Sequence, residues 1–450
     1  MTPSKTILFR GLSILTPDAD RGVRYLQNGF IAVSGDRIAY VGDNEESALS
    51  ALNGRPDETR HAGGRMAMPA FANAHCHAAM VLMRNAADDR NLHDWLFDMI
   101  FPMEERLRRE DVYNGSMLGI AQMIRGGIGA CADMYYHPEA VVEAAATAGI
   151  RMNLCCEAKE SDPSGRGMRM RPDRLEEFAR LCRSTASGRI RPSLVIHSVY
   201  LYDAEVYPAL SEMALSAGIP IHTHLSETAK EVEDCIAKYG CRPVEQMDRF
   251  GIFRVPCIAA HAVHLDDRDR RILASRPVTL VHNPSSNMKL GSGMADVCSM
   301  LDCGIPVALG TDGAASNNAL DLFREMRLAA MIAKCRSFDA SALPAQEVFR
   351  MATRTGMQAM GFNESGILAA GMKADLQLVD TTDVSLCPLG DPVSAVVYSA
   401  GSEIVDSLMV DGRMLMSRRE LLTIDEERVR YEALRSAAHV TGRRGNGDGS

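Results

Sequence analysis

Residues Met66–Met80 read MAMPAFANAHCHAAM, an apolar run that ends in His75-Cys76-His77. In a strand, successive side chains alternate between faces, so His75 and His77 project together and Cys76 points away. Two neutral imidazoles at one strand end supply half of a metal site. An H-x-H pair also occurs in ordinary cores and surfaces, so its meaning depends on what the rest of the chain brings to it.

Working outward, apolar runs recur. They are ACADMYY (130–136), RMNLCCE (151–157), PSLVIHSVY (192–200), PIHTHLSE (220–227), CIAAHAVHL (257–265), VTLVHNPSS (278–286) and PVALGTDGA (306–314). With the first they make eight, each as continuous as a parallel strand buried on both faces. Helical stretches fill the gaps. Gly115 to Arg125 sets Met117, Ile120, Met123 and Ile124 on one face and stops at Gly126-Gly127. Thr228 and Glu231 form a capping box that opens a helix ending at Gly240, and Leu320 to Lys334 reads as a third helix. Eight strand–helix alternations predict an α/β fold, a closed (β/α)₈ TIM barrel spanning 66–365. The alternative, an open doubly wound sheet, lacks a Gly-rich dinucleotide turn after its first strand.

The flanks read differently. Residues 1–65 look all-β, with strands at Thr6–Phe9, Phe30–Val33 and Arg37–Val41 and a Ser34-Gly35-Asp36 turn between the last two. After Gly366, GILAAGMKADLQLVD, SAVVYSAG and IVDSLMVDGRML read as strands and hairpins. Residues 1–65 and 366–424 are therefore expected to build one small β-sandwich from both chain ends. A closing helix is expected over 425–440, and the polar, Gly-rich tail 441–450 reads as disordered.

The composition, 46% hydrophobic and 24% charged over 450 residues, is that of a globular protein with one large domain and one smaller. A net charge of -9 leaves no basic face for nucleic acid. The basic stretch Arg166 to Arg174 is expected in solvated loops. The 12 cysteines include no CxxC pair, the N-terminal MTPSKTILFRG has no long apolar core, and no run is long enough for a membrane span. These features point to a cytoplasmic protein with reduced thiols and no membrane partner.

Catalytic groups of a (β/α)₈ barrel sit at the C-terminal ends of its strands. Strand one ends in His75 and His77, and strand four carries His197. Strand five ends in His222, His224 and then Glu227, strand six in His261 and His264, strand seven in His282 and strand eight in Asp312. Eight of the 12 histidines thus lie at strand ends. Three imidazoles and a carboxylate suit Zn²⁺ or a similar ion, and the set read here is His75, His77, His224 and Asp312. Spacing alone leaves His222 as a rival to His224. Such an ion turns water into hydroxide at neutral pH. Glu227, three residues past His224, is placed to move that water's proton to a substrate nitrogen, and His261 to hold the water. His264 and His282 read as supporting or packing residues. Strand four has no Lys to bridge two metals, which favours one.

Taken together, the motifs NAHCHAAM (73–80), WLFDMIFPMEERL (95–107), HLSET (224–228), AAHAVHL (259–265), VHNPSSNMKLGSG (281–293) and GTDGAASNN (310–318) resemble the amidohydrolase superfamily. The resemblance covers nearly the whole chain. It is to the S-adenosylhomocysteine/5'-methylthioadenosine deaminase branch, which is grouped with triazine chlorohydrolases. It implies one divalent metal per subunit, Zn²⁺ with Fe²⁺ or Mn²⁺ as alternatives, held by His75, His77, His224 and Asp312. It prefers His224 over His222 because His224 occupies the H-x-x-E position. It implies Glu227 as proton shuttle to the purine N1 and His261 as hydrogen-bond partner of the attacking hydroxide. Asp312 would also relay a proton to the leaving amine. Glu104, in Pro102-Met103-Glu104, would bind the ribose hydroxyls, and His197 would contact substrate. The implied reaction is hydrolytic deamination of a 6-aminopurine nucleoside or thioether by a homo-oligomer. The alternative is the same chemistry, or dechlorination, on a pterin, a guanine-like base or an s-triazine; a barrel that has lost catalysis and serves as a scaffold is a third reading. Two departures fall on the substrate side. The Arg that relatives carry at the end of strand three is replaced near Cys156, and Val195-Ile196-His197-Ser198-Val199 stands for Gly-Pro-His-Ser-Pro.

Overall fold

The computed structural model describes residues 5–18, 22–161 and 168–442. The strands, in chain order, begin with β1 (Thr6–Pro17), β2 (Val23–Ser34), β3 (Arg37–Gly42), β4 (Glu58–His61) and β5 (Arg65–Pro69). Next come β6 (Phe71–Cys76), β7 (Ile128–Asp133), β8 (Arg151–Cys156), β9 (Lys159–Ser161) and β10 (Met168–Met170). Then follow β11 (Ile190–Val195), β12 (Ile221–Leu225), β13 (Cys257–His261), β14 (Val278–His282) and β15 (Val307–Leu309). The last are β16 (Leu376–Asp380), β17 (Val405–Val410), β18 (Arg413–Ser417) and β19 (Glu420–Leu421).

Eight of these, β6, β7, β8 and β11 to β15, form one parallel sheet in chain order, the nearly closed barrel. Every residue of β6, β7, β8, β12 and β13 is buried, which is why these runs are apolar without alternation. At the seam between the last strand and the first, side chains do part of the stitching. Asn73 accepts from the Thr311 N–H (2.9 Å) and donates to its hydroxyl (2.8 Å), while the Asp312 N–H donates to the His75 carbonyl (3.0 Å). This fixes strand eight's polar end directly against strand one's.

The second sheet draws on both ends of the chain, in the order β19-β18-β17-β16-β5-β1-β2-β3, with β4 alongside β1. The opening stretch is therefore divided: Arg65–Pro69 belongs to this sheet and Phe71–Cys76 opens the barrel. A buried ion network ties the two units. Arg151, at the start of β8, donates to both oxygens of Asp375 (2.7 and 3.0 Å) and to Asp411 (2.8 Å), and Arg189 also reaches Asp411 (3.2 Å).

Several local expectations change. The N-terminal strands are longer than read, and a helix, Glu45–Ala51, interrupts them under an Asn44 cap. The two barrel helices read at 115–125 and 320–334 run over Arg109–Arg125 and Leu322–Ser337. SAVVYSAG is not a strand. Asp391 caps a helical turn at Pro392–Ser394 that continues through Ala395–Ser399, burying Val393, Val396 and Val397 at i, i+3 and i+4. Of GILAAGMKADLQLVD only Leu376–Asp380 is strand. Thr228 caps Ala229–Tyr239, but Glu231 does not close the box; it reaches past the cap to the backbone before it. The closing helix is Glu426–Thr441, docked through His439 to Asp111 (3.0 Å) and Asn114 to Ser436 (3.2 Å). Beyond it, residues 443–450 of the expected tail lie outside the described residues. No helix among the described residues is long and apolar enough to cross a membrane.

Candidate active site

The strand ends converge on one cavity of ≈360 Å³ lined by His77, Glu104, His197, His224, Glu227, His261 and Asp312. That size suits a small organic molecule. His75 lies beneath, fully buried. Ligand-capable atoms of His75, His77 and Asp312 lie within 4.8 Å of one another, as do those of His75, His224 and His261.

The hydrogen bonds around the cluster decide which nitrogens face inward. His77 Nδ1 bonds the Met134 carbonyl (2.5 Å) and His224 Nδ1 the His197 carbonyl (2.9 Å). A carbonyl only accepts, so both rings carry their proton on Nδ1 and turn a lone pair at Nε2 toward the cluster. Those two Nε2 atoms are 3.4 Å apart, and His77 Nε2 is 3.2 Å from Asp312 Oδ1. His75 Nε2, 3.4 Å from the same oxygen, has no hydrogen-bond partner among the described residues. Lone pairs and a carboxylate held this close repel unless a cation sits among them. The donor set therefore fits a divalent metal, with three imidazole nitrogens and one carboxylate oxygen.

Asp312 is prepared for that role. Its Oδ2 accepts from Ser286 (2.6 Å) and Ser316 (2.7 Å), which leaves Oδ1 for the cluster. Its backbone is left-handed, φ 61°, as is that of His261, φ 75°. A non-glycine residue is held there only when its surroundings insist, and such sites concentrate where function does. Burial opposes the Asp312 charge, but the adjacent His75 and His77 rings hold the carboxyl well below its usual range. Burial likewise lowers His75, to about 4, which keeps that ring neutral.

Glu227 stands 3.7 Å from His261 Nε2 and accepts from the Ser292 hydroxyl (3.2 Å). Burial raises its pKa, favouring a carboxyl that can carry a proton. Glu231 accepts from the N–H groups of Ser226 (2.9 Å) and Glu227 (2.7 Å), fixing the left-handed turn at Ser226 that presents Glu227. His261 Nδ1 is held by Asn287 Oδ1 (2.8 Å). His197 is neutral, burial pushing it down to about 3, and its Nδ1 has no partner among the described residues. Glu104 follows Pro102 in the turn Phe101–Glu104, and burial lifts it to about 7 against the pull of the Tyr135 hydroxyl and His77.

Spacing could not separate His222 from His224. His222 Nε2 bonds His75 Nδ1 (2.9 Å), on the side of that ring away from the cluster. His264 bonds the Ser292 carbonyl (2.7 Å), and His282 is buried with neither nitrogen paired among the described residues. Several groups escaped the sequence reading. Asp133, at the end of β7, accepts from the Ala78 N–H (2.5 Å) and fixes the turn after His77. Tyr135 and Tyr136 follow in the cavity wall; the strand-end rule that found the histidines would have found all three. Arg174 was expected in a solvated loop. It lies in the helix Pro172–Ser184 and lines the cavity, and its charge opposes the rise that burial gives the Cys156 thiol. Nothing in its local sequence signals this.

A parallel barrel with three imidazoles and a carboxylate at its strand ends defines a metal-dependent hydrolase. The chain belongs to the amidohydrolase family, whose model matches residues 66–415. It is 45% identical over 436 residues to a 5-methylthioadenosine/S-adenosylhomocysteine deaminase of Acetivibrio thermocellus, covering 96% of this chain and 99% of that one. A crystal structure of a zinc-bound adenosine deaminase from Xanthomonas campestris superposes with a TM-score of 0.90 at 30% identity, over 98% of this chain and 99% of that one. A zinc-bound atrazine chlorohydrolase of Arthrobacter aurescens shares the fold, with a TM-score of 0.85 at 24% identity, over 96% and 100% of the two chains.

Proposed function

We propose that the protein hydrolyses the 6-amino group of adenosine-type nucleosides and thioethers, S-adenosylhomocysteine, 5'-methylthioadenosine and adenosine, giving the inosine analogue and ammonia. The observation that carries this reading is the inward-facing Nε2 cluster around Asp312, with Glu227, Glu104 and His197 lining the same cavity. Similarity to a 5-methylthioadenosine/S-adenosylhomocysteine deaminase and an adenosine deaminase supports the substrate class. His75, His77, His224 and Asp312 would hold one cation, Zn²⁺ by analogy with the neighbour and with Fe²⁺ or Mn²⁺ as alternatives. When bound, the cation supplies the Lewis acidity that makes water a nucleophile at neutral pH.

The chain's own groups handle the protons. His261 orients the water. Glu227 takes its first proton and delivers it to N1 as oxygen bonds to C6. Asp312 passes the second proton from that oxygen to the amine. The C6–N bond then breaks, ammonia leaves, and C6=O with N1–H remains. Glu104 accepts from the ribose diol, and His197 bonds the ring through its free Nδ1. At the cavity mouth, Lys159, Arg174 and Glu157 supply charges of both signs, with Lys159 bonded to Glu157 (2.5 Å). Arg174 places a guanidinium in the cavity wall, which supports a substrate with a charged tail. The buried free thiols fit the reducing cytoplasm, and the exposed Tyr431 and Leu434 on the closing helix suit a homo-oligomer.

The test is ammonia release from a panel of adenosine, 5'-methylthioadenosine, S-adenosylhomocysteine, guanine, a pterin and an s-triazine. Turnover is expected on the adenosine derivatives. Turnover confined to another ring would transfer the assignment to that ring.

A further inference from the structure

His75 faces the cluster through Nε2, and its other nitrogen is not held by a carbonyl as those of His77 and His224 are. Its Nδ1 meets His222 Nε2 at 2.9 Å, and His222 Nδ1 meets Cys155 Sγ at 3.4 Å. All three residues are at most 2% exposed. They come from β6, β12 and β8, so the chain of contacts crosses the barrel interior from strand one through strand five to strand three.

The direction of this chain follows from proton counting. An imidazole that gives its Nε2 lone pair to a cation keeps its proton on Nδ1, so His75 donates to His222 Nε2. The neutral His222 ring then carries its proton on Nδ1, and the only hydrogen-bond partner there among the described residues is the Cys155 sulfur. Sulfur accepts. Every ring is satisfied in this arrangement and in no other that leaves His75 free to bind metal. We propose that His222 and Cys155 form a two-residue relay that fixes the tautomer and angle of His75 and so retains the cation. Both are positioning residues, and the role rests on the metal reading given above. The more ordinary role for Cys155, a small buried hydrophobe, does not account for the sulfur being aimed at an imidazole nitrogen that lacks any other partner.

The test uses protein purified with one cation per chain, challenged with excess chelator while bound metal is followed with time. Replacing partners behind a metal-bound histidine typically weakens metal affinity by 10–100-fold. Cys155→Ala is expected to release its cation at least about tenfold faster than wild type. Cys155→Ser restores an acceptor at the same place and is expected to stay within about twofold of wild type. His222→Leu cuts the relay one residue nearer the cation and is expected to release it at least as fast as Cys155→Ala. Wild-type retention in Cys155→Ala or in His222→Leu overturns the relay, and so does a serine variant as leaky as the alanine one, since packing would then be the cause. A wild-type protein isolated with no cation fails earlier and differently: it removes the metal reading itself, and the relay with it.

Discussion

Replacing Glu104 gives the sharpest check on how the cavity recognises its substrate. Glu104 is 9% exposed, and burial lifts its carboxyl to about 7. Accepting from a ribose diol takes two charge-assisted hydrogen bonds, each worth about 1.5–3 kcal/mol. Glu104→Gln should therefore cost about 3 kcal/mol, or roughly a hundredfold in kcat/KM, on a nucleoside that carries both hydroxyls. Only the ionised carboxylate accepts both bonds. With a pKa near 7 the ionised fraction climbs from about 0.1 at pH 6 to about 0.9 at pH 8. Preference for the diol should thus rise about ninefold across that interval and be lost as the pH falls through it. The assay compares kcat/KM for adenosine with that for 2',3'-dideoxyadenosine at each pH. Ionisations shared by both substrates, such as that of Glu227, cancel in the ratio. Wild type should show a rising ratio; the Gln variant should show a low, flat one. A flat ratio in wild type, or equal losses on the two substrates, would remove Glu104 from sugar recognition.

Four other outcomes are expected. Glu227→Gln should keep its metal, measured by elemental analysis, while ammonia release falls by about 10²–10⁴; near-normal turnover would end its role as proton carrier. His77→Ala should be isolated with well under one cation per chain, and chelator-treated wild type should regain activity with only some of Zn²⁺, Fe²⁺ and Mn²⁺, which identifies the working ion. Full metal occupancy in His77→Ala would count against the donor set. Arg151→Met takes from Asp375 its cationic partner, Asp411 keeping Arg189, and should cost about 3–5 kcal/mol, read as a lower denaturant midpoint; an unchanged midpoint would show that the network does not stabilise the junction.

The barrel and its polar rim were legible because their physics is local. A strand buried on both faces must be apolar throughout, and a histidine at its end stands out against that background. His222 and His224 were not separable, because residues i and i+2 share a face; what divides them is depth in the barrel, set by the register of β12 against its neighbours. Val393, Val396 and Val397 carry strand composition, yet the Asp391-Pro392 start and burial at helical spacing prevail. Arg174 belongs to the cavity only because its helix packs against β11, a tertiary fact with no local trace.

The pairing of Pro69 in β5 with Leu376 in β16 also bears on how the polypeptide is made. About 300 residues separate these partners, so at roughly 5–20 residues per second the first waits about 15–60 s on the ribosome for the second. Throughout synthesis of the barrel, the amino-terminal unit shows a bare, apolar strand edge to solvent. That interval is when holding chaperones have the most to shield, and a stalled or truncated message would release a product primed for edge-to-edge aggregation.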